Sequence, residues 1–115
     1  VKNIQDLEES FFQDENSAAV IMTHNYNRDR DILPRLLKSK CLYVGALGPK
    51  KRTEKILAET GENWSENLHA PIGLDIGADS PEAIALAIVA EIQAVLKNRN
   101  GGFLRERQGS IYERR

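Results

Sequence analysis

The chain has 115 residues, of which 41% are hydrophobic and 29% are charged, a composition typical of one globular domain with its own core. Its formal net charge of -1 at pH 7 argues against a nucleic-acid binder, and no apolar run approaches the length of a membrane span. A single cysteine, Cys41, excludes an internal disulfide and is consistent with a cytoplasmic location. Cys41 and the two histidines, His24 and His69, match no ligand spacing, so we expect no metal site.

Apolar periodicity and turn residues predict helices and strands that alternate along the chain. The predicted elements are a helix over residues 2–12, a strand over 18–22, a helix over 27–40, a strand over 41–44, a helix after Gly48 to about Thr60, a short strand around Ile72 and a helix from Pro81 to about Asn98. The strands are short, continuous apolar runs, as expected for strands buried on both faces of a parallel sheet. Short connections between these elements predict an α/β fold, namely a partial Rossmann-like, three-layer fold with a small parallel sheet flanked by helices.

Two of the helices carry features that make specific predictions. Pro34 lies in the helix over residues 27–40, and an N-cap at Asp31 would place it in the first turn, where no backbone N–H is needed. The alternative is a distorted first turn that begins earlier. The last helix starts at Asp79-Ser80-Pro81, where a capping residue precedes a proline at the first helical position. Nearly all of residues 83–90 are apolar, so we expect this helix to be deeply packed.

The domain is expected to occupy residues 1–100, and residues 101–115 are expected to form a flexible charged tail. Two or three strands are few for a Rossmann-type sheet, and the glycine-rich turn that follows the first strand of such a fold is absent from the sequence. Because the chain begins at Val1 with an amphipathic segment, we expect it to be part of a longer protein that supplies this strand. The alternative is that a second copy of the chain covers the open edge of the sheet.

The stretch after the second predicted strand has the properties of a ligand-binding turn. Gly45 and Gly48 are followed by Pro49 and then by three cations, Lys50, Lys51 and Arg52, at the start of a helix. Ligands of open α/β sheets bind at the carboxyl ends of the strands, where glycines allow close approach and helix N-termini attract anions. Cations in the first turn oppose the helix dipole, a mismatch that a bound phosphate would compensate. The alternative is that the three side chains simply extend into solvent.

Two further segments are predicted to reach the same edge of the sheet. His24 follows the first predicted strand, where it would donate a hydrogen bond or transfer a proton, or else serve as a capping or packing residue. Gly73 and Asp75 lie in the irregular segment before the last helix, and the Asp75 carboxylate would accept a hydrogen bond from a ligand or stabilise its own turn. The sequence shows no Ser-His-Asp, Cys-His or paired-carboxylate arrangement beside them. It therefore predicts a binding site without catalytic machinery.

Three stretches of the chain together resemble one family. Residues 20–26, V-I-M-T-H-N-Y, resemble its V-x-M-T-H-D/N strand end, and residues 43–52, Y-V-G-A-L-G-P-K-K-R, resemble its Y-I/V-G-x-x-G-S-x-x-K/R turn. Residues 69–85, H-A-P-I-G-L-D-I-G-A-D-S-P-E-A-I-A, are similar to its segment h-A-P-I-G-L-D-I-G-A-x-T/S-P-E-E-I-A. The similarity extends in order from Ala18 to Ala94, and by it the chain is identified as a member of the XdhC/CoxI family, accessory proteins of xanthine and carbon monoxide dehydrogenases.

The resemblance implies the C-terminal Rossmann-like domain of a maturation factor, truncated at its N-terminal side. Proteins of this family bind the molybdopterin (molybdenum) cofactor as cargo, protect it during sulfuration by a cofactor sulfurase, and deliver it to a molybdenum hydroxylase of the xanthine or CO dehydrogenase type. The resemblance favours a non-catalytic chaperone domain, with a second copy or the N-terminal half of the parent chain as a further partner and a nucleotide as a second candidate ligand. Two residues depart from the family pattern, because Pro49 replaces a serine and Ala83 replaces a glutamate.

Three hypotheses follow from the motifs and the resemblance. In the first, the chain is a binding domain in which one set of residues cradles a phosphate or pyrophosphate and another contacts the rest of the cofactor. The cradle consists of Gly45, Gly48, Lys50, Lys51 and Arg52, and the other contacts are His24, Gly73 and Asp75. In the second, the chain is the NAD(P)-binding Rossmann domain of an oxidoreductase, for which the fold alone is a weak argument. In the third, it has no ligand and oligomerises through its open sheet edge and apolar helix.

Overall fold

The computed structural model describes residues 17–107, which form a small parallel sheet with helices on both faces. The elements in chain order are β1 (Ala18–Ile21), α1 (Tyr26–Leu37), β2 (Tyr43–Ala46), α2 (Lys50–Thr60), β3 (Leu68–His69), α3 (Pro81–Leu96) and a 3₁₀ helix at Leu104–Glu106. The helix predicted over residues 2–12 and the end of the predicted tail, residues 108–115, lie outside the described residues.

The sheet has the strand order β1-β2-β3, and both neighbouring pairs are parallel. Ala18 pairs with Tyr43 at the start of the β1–β2 ladder, and Gly45 pairs with His69 in the shorter β2–β3 ladder. Each parallel pair needs a crossover connection, which α1 supplies between β1 and β2 and α2 supplies between β2 and β3. All three carboxyl ends therefore lie at one edge of the sheet. The predicted α/β fold, with a small parallel sheet between helical layers, is confirmed.

The helices α1 and α2 cover one face of the sheet and close an apolar core against it. Val44 on β2 is fully buried, and Leu33 on α1 is 1% exposed. Leu33 and Leu36 are about one helical turn apart, so both face the sheet. The other members of the core are Ile21, Cys41, Ile56, Leu57 and Leu68. Apolar burial on this face fixes the positions of the strands relative to the two helices.

The helix α3 covers the opposite face of the sheet at β2. Tyr43 and Gly45 alternate with Val44 along β2 and therefore point to the side of α3. Tyr43 is fully buried there, and Gly45 is buried as well. Along the whole length of α3, which is fully described, Ala87 is the one buried residue. The contact between α3 and the sheet is consequently narrow.

The prediction that α3 is deeply packed is wrong. Leu86 is 63% exposed, Val89 is 64% exposed and Ile84 is 38% exposed. The apolar run predicts a covered helix, but three short strands are too narrow a sheet to reach more than one side of α3. Across residues 17–107, no helix is both long enough and apolar enough to cross a membrane.

The second and third strands differ from the predicted ones. β2 begins at Tyr43 rather than at Cys41, so Gly45 is a strand residue and not part of the turn. β3 lies at Leu68–His69 rather than around Ile72. Leu68 is a single apolar residue beside a polar stretch and forms no apolar run, so hydrophobicity did not indicate this strand, and its position depends on pairing with β2.

The first described helix, α1, starts at Tyr26, which agrees with the alternative of an earlier start and contradicts the N-cap at Asp31. Its N-cap is Asn25 rather than Asp31, and Asn25 Oδ1 accepts a hydrogen bond from Arg28 N at 3.2 Å. Pro34 therefore lies inside the helix, where its missing N–H removes one intrahelical hydrogen bond. The helix ends one turn later at Leu37, so the loss falls where the helix is already about to end.

The helix ends that carry clear sequence signals are confirmed. Gly61 terminates α2 in a left-handed conformation, as expected for a glycine after the last turn. Ser80 caps α3 through its side chain, which accepts a hydrogen bond from Ala83 N at 3.2 Å, and Pro81 follows at the first helical position.

Candidate functional site

The carboxyl ends of the strands meet at one edge of the sheet, and hydrogen bonds beyond the strands join the segments that follow them. Leu47 N donates to Ile21 O at 3.0 Å, which ties the end of β2 to the end of β1. Ile72 N donates to Ala46 O at 3.2 Å, which brings the segment after β3 beside the end of β2. The three segments that the sequence predicts for the site therefore follow three adjacent strand ends.

A cavity of about 220 Å³ lies between the segments that follow β1 and β2. It is lined by His24, Asp29, Leu47, Gly48, Pro49 and Arg52. His24, Gly48 and Arg52 were predicted for the site, and the structure brings these three together. The cavity is smaller than the roughly 300–1,000 Å³ of most ligand pockets, so it suits one group of a ligand, such as a phosphate, rather than a whole nucleotide.

A buried ion pair forms part of the wall of this cavity. Asp29 is 3% exposed, and its Oδ2 accepts a hydrogen bond from the guanidinium of Arg52. The other carboxylate oxygen, Oδ1, accepts from Thr23 Oγ1 at 2.5 Å. Because Asp29 lies on α1 and Arg52 on α2, the pair joins the two helices beside the end of β1. Arg52 is thereby held in place and has only its remaining N–H groups for a ligand.

His24 and Gly48 face the cavity with uncommon backbone conformations. His24 has φ of 59°, and a left-handed conformation costs a non-glycine residue about 1 kcal/mol. Gly48 has φ of 111°, which strongly favours glycine. The turn at His24 is stabilised by its two neighbours, because Thr23 Oγ1 accepts a hydrogen bond from Asn25 N at 3.0 Å. A costly conformation that surrounding bonds enforce is a feature of binding and catalytic sites.

The amino end of α2 carries backbone N–H groups and lysines, and its N-cap residue Pro49 lines the cavity. α2 starts at Lys50 after Pro49, which provides no side-chain cap, and its first turn contains no acidic residue. The first amides of an α-helix have no partner inside the helix, so they are donors for an anion. Lys50 and Lys51 are exposed, and Lys50 Nζ lies 5.6 Å from the ring centroid of Trp64. Pro49 and Arg52 line the cavity, whereas Lys50 and Lys51 are not among its lining residues. Contact of the two lysine side chains with a ligand stays a prediction.

These contacts determine the charge of the site. The charges of Arg52 and Asp29 offset each other, so Lys50, Lys51 and the dipole of α2 are the positive groups at this end of the helix that remain without an acidic partner in the first turn. Within the described ranges, no group of three or more His, Cys, Asp or Glu side chains is placed to hold a metal ion.

Gly45 has a packing reason for lacking a side chain. A Cβ atom at Gly45 would lie 2.3 Å from Ile72 Cδ1 and 2.8 Å from Tyr43 Cε1, which is far inside contact distance. The residue is buried in β2 on the α3 side of the sheet, opposite the core that α1 and α2 cover. Direct contact of Gly45 with a ligand stays a prediction.

The segment between β3 and α3 is held at Gly73 and exposed at Asp75. Gly73 has φ of 106°, a conformation that favours glycine, and a Cβ atom there would lie in tight contact, 3.3 Å from Ala87 Cβ. Its N–H donates to Glu91 Oε1 at 2.9 Å. Asp75 is exposed. The contacts predicted between these two residues and a ligand stay predictions.

Sequence reasoning missed a polar cluster on the α3 side of the sheet. Tyr43 OH donates to Glu91 Oε1 at 2.6 Å, and the His69 ring stacks on the Tyr43 ring with centroids 4.5 Å apart. His69 Nδ1 lies 3.5 Å from Glu91 Oε2. Burial raises the pKa of Tyr43 far above its usual value, and the hydrogen bond to Glu91 adds to the shift, so the hydroxyl stays a donor. The available signal was Glu91 itself, a lone charged residue in an otherwise uncharged stretch of α3.

A comparison with known proteins supplies relatives of this chain. A probable xanthine dehydrogenase subunit of Bacillus subtilis is 40% identical over 77 residues, which cover 67% of this chain and 23% of that protein. The "Molybdenum cofactor insertion chaperone PaoD" of Escherichia coli is 29% identical over 87 residues, which cover 71% of this chain and 27% of the chaperone. This chain thus spans less than a third of the length of either relative.

A solved structure and a family model agree with these relatives. A crystal structure of a xanthine dehydrogenase from Bacillus halodurans has a TM-score of 0.68 and 32% sequence identity, and the match covers 83% of this chain and 28% of that one. A family model described as the XdhC Rossmann domain matches residues 2–92. The chain therefore belongs to the XdhC family and carries that family's Rossmann domain.

Proposed function

We propose that this chain is the Rossmann-like domain of a maturation factor that binds the molybdenum cofactor and passes it to a molybdenum hydroxylase of the xanthine dehydrogenase type, after a cofactor sulfurase has acted. The observation that carries the proposal is the cavity at the strand ends, where His24, Gly48 and Arg52 meet beside the amino end of α2. The similarity to a molybdenum cofactor insertion chaperone supports the choice of ligand.

The phosphate group of the cofactor suits the amino end of α2. A phosphate monoester carries between one and two negative charges near neutral pH, roughly -1.5 to -2, and accepts several hydrogen bonds. The backbone amides of Lys50 and Lys51 are the kind of donors that helix N-termini offer to such anions. Their side chains add the positive charge that the ion pair of Arg52 and Asp29 does not provide. Pro49 supplies no donor, so these two residues carry most of the proposed phosphate binding.

The rest of the cofactor would lie across the strand ends. A pterin is a flat, polar ring system with hydrogen-bond donors and acceptors along its edge. His24 belongs to the segment after β1 and Asp75 to the segment after β3, and these two segments follow the strands on either side of β2. A ring that spans the end of β2 would meet His24 as a donor and Asp75 as an acceptor. Gly45 acts indirectly, because its missing side chain lets Ile72 approach β2 and so places this segment.

Titration of the purified protein with molybdenum cofactor tests the phosphate contact. The double variant Lys50→Ala/Lys51→Ala is expected to bind about tenfold or more weakly, because two cations beside an anion are lost. The matched control is Lys38→Ala/Lys40→Ala, which removes the same charge between α1 and β2, at the opposite edge of the sheet. Equal affinity of the two double variants would remove the proposed phosphate role.

Two further measurements separate the proposal from the oxidoreductase hypothesis. Titration with NAD⁺ and NADP⁺ is expected to give no binding that competes with the cofactor. Protein loaded with cofactor is expected to restore activity to a cofactor-free hydroxylase of the xanthine dehydrogenase type. Binding of a nicotinamide dinucleotide in place of the cofactor would overturn the proposal.

A further inference from the structure

The polar cluster of Tyr43, His69 and Glu91 has no part in the phosphate contact proposed above, yet it joins four parts of the fold. Tyr43 is on β2, His69 is on β3, Glu91 is on α3, and the Glu91 carboxylate also bonds the backbone of Gly73. Tyr43 is fully buried and the Glu91 side chain is 14% exposed. Burial of a carboxylate costs free energy unless its oxygens are hydrogen-bonded, so the partners of Glu91 compensate for its burial.

We infer that Glu91 is a positioning residue whose carboxylate sets the place of the loop at residues 72–77, while Tyr43 and His69 fix the carboxylate. The inference rests on the proposed function, in which this loop contacts the ligand through Asp75. It goes beyond that function by assigning a role to α3, which carries no residue of the proposed site.

The loop is attached to the domain by three consecutive amides. The N–H groups of residues 72–74 donate in turn to Ala46 O, Glu91 Oε1 and Ala87 O, at 3.2, 2.9 and 3.2 Å. The outer two bonds are backbone to backbone, to β2 and to α3. The middle bond is the one that depends on a side chain, and a carboxylate acceptor makes it the strongest of the three. It lies two residues before Asp75.

The carboxylate is itself held from two directions. Its Oε1 accepts from Tyr43 OH at 2.6 Å as well as from Gly73 N, and its Oε2 faces His69 Nδ1 at 3.5 Å. The His69 ring lies nearly parallel to the Tyr43 ring, with an interplanar angle of 16°. These contacts hold the Glu91 carboxylate beside the backbone N–H of Gly73. Side-chain identity at position 91 is thereby coupled to loop position.

Amide hydrogen exchange in the purified protein tests this coupling without any ligand. The measured quantity is the exchange rate of Gly73 N–H divided by that of Leu47 N–H, which is bonded to Ile21 O and reports the stability of the strand ends. In Glu91→Met, which keeps the length but removes both acceptor oxygens, the ratio is expected to rise about ten- to a hundredfold. In Glu91→Gln, the amide oxygen can accept both bonds, so the ratio is expected to stay within about threefold of the wild type.

Tyr43→Phe is the second variant, which keeps the inference testable if Glu91→Met fails to fold. It removes one bond to the carboxylate and leaves Gly73 bonded, so the ratio is expected to rise less than in Glu91→Met, by about threefold to tenfold. An unchanged ratio in Glu91→Met, or in Tyr43→Phe when that is the variant that folds, would overturn the inference. So would a ratio in Glu91→Gln as high as that in Glu91→Met.

Titration with molybdenum cofactor then separates this inference from the proposed function. If both hold, Glu91→Met weakens binding while Glu91→Gln binds like the wild type. If the exchange ratios follow the expected order and no protein binds the cofactor, the positioning role stands and the proposed function fails. If the wild type binds and Glu91→Met binds equally well, the loop is not a ligand contact and the functional part of the inference is overturned.

Discussion

The two faces of the sheet are held by different kinds of interaction. On the face that α1 and α2 cover, Leu33 and Val44 are buried among other apolar side chains. On the face that α3 covers, the contact includes the hydroxyl of Tyr43, the imidazole of His69 and the carboxylate of Glu91. The first face is an apolar core, and the second is a hydrogen-bonded contact beneath a helix whose outer side is exposed.

The difference explains how a small domain can place a site. Apolar packing is strong but has no direction, so it fixes where strands and helices lie without fixing any one polar group. Hydrogen bonds are individually weaker but have direction, so they fix the orientation of a loop or a side chain. Near the carboxyl ends of the strands, Asp29 on α1 bonds Arg52 on α2 on the first face, and Gly73 bonds Glu91 on α3 on the second face.

Removing a side chain from the apolar face is expected to have the largest effect. Leu33→Ala should lower the free energy of unfolding by about 2–5 kcal/mol, because Leu33 is 1% exposed and its loss leaves a cavity. Urea unfolding monitored by circular dichroism measures this. A loss below about 1 kcal/mol would mean that the core between α1 and the sheet can collapse, and the contrast between the faces would disappear.

Breaking the ion pair at the end of this face should have the next largest effect. Asp29→Asn keeps the shape but leaves Arg52 without its charge partner, and a loss of about 2 kcal/mol in unfolding free energy is expected. The Arg52 side chain is 24% exposed, so water offsets part of the loss that a fully buried pair would show. Asp31→Asn, at an exposed position of the same helix, is the control. Equal stability of the two variants would show that Asp29 does not hold Arg52 in solution.

Removing a hydroxyl from the polar face should cost less and depend on pH. Tyr43→Phe is expected to lower the free energy of unfolding by about 1 kcal/mol at pH 7. Burial raises the pKa of Tyr43 in the folded protein, whereas the unfolded tyrosine ionises near pH 10. The stability contributed by Tyr43 is therefore complete below about pH 10 and is lost as the pH rises above it, by up to about 1.4 kcal/mol per unit.

The measurement is guanidinium unfolding of wild type and Tyr43→Phe between pH 7 and pH 12. The difference in unfolding free energy should be constant up to about pH 9 and should shrink above pH 10, because Tyr43 then ionises in the unfolded wild type. Lysines titrate alike in both proteins, so their effect cancels from the difference. Tyr26→Phe is the comparison: partial burial and the exposed hydrogen bond of Tyr26 OH to Glu59 Oε1 at 2.7 Å also raise the pKa of Tyr26, so a smaller alkaline change is expected there. A difference for Tyr43→Phe that does not change at alkaline pH would contradict the buried hydrogen bond.

The fold could be predicted where local chemistry decides it. Continuous apolar runs indicated β1 and β2, and the signals at Gly61 and Ser80 placed a helix end and a helix start. β3 has two residues and no periodicity, so its position depends on pairing with β2 and not on its own sequence. The apolar composition of α3 predicts a covered helix but does not say which part of the protein covers it.

Only the part of the site that follows from the strand topology could be predicted. Parallel strands bring their carboxyl ends together, which is why His24, Gly48 and Arg52 were expected near one another. The contacts that fix the side chains and the loop around the strand ends join residues far apart in the sequence. Asp29 bonds Arg52, 23 positions away, and Tyr43 bonds Glu91, 48 positions away, which in turn bonds Gly73. An acid in the first turn of a helix is expected to offset the helix dipole, so nothing local marked Asp29 as buried.

The smallest effect is expected on the outer side of α3. Leu86→Ala makes the same chemical change as Leu33→Ala at a residue that is 63% exposed, so the free energy of unfolding should change by less than about 0.5 kcal/mol. A loss near that of Leu33→Ala would show that another part of the protein, outside residues 17–107, or a second copy covers this side. Repeating the unfolding at a tenfold higher protein concentration separates the two, because only stabilisation by a second copy depends on concentration. In either case the polar face would then be the inner surface of a larger core, and its hydrogen bonds would be more buried and harder to replace.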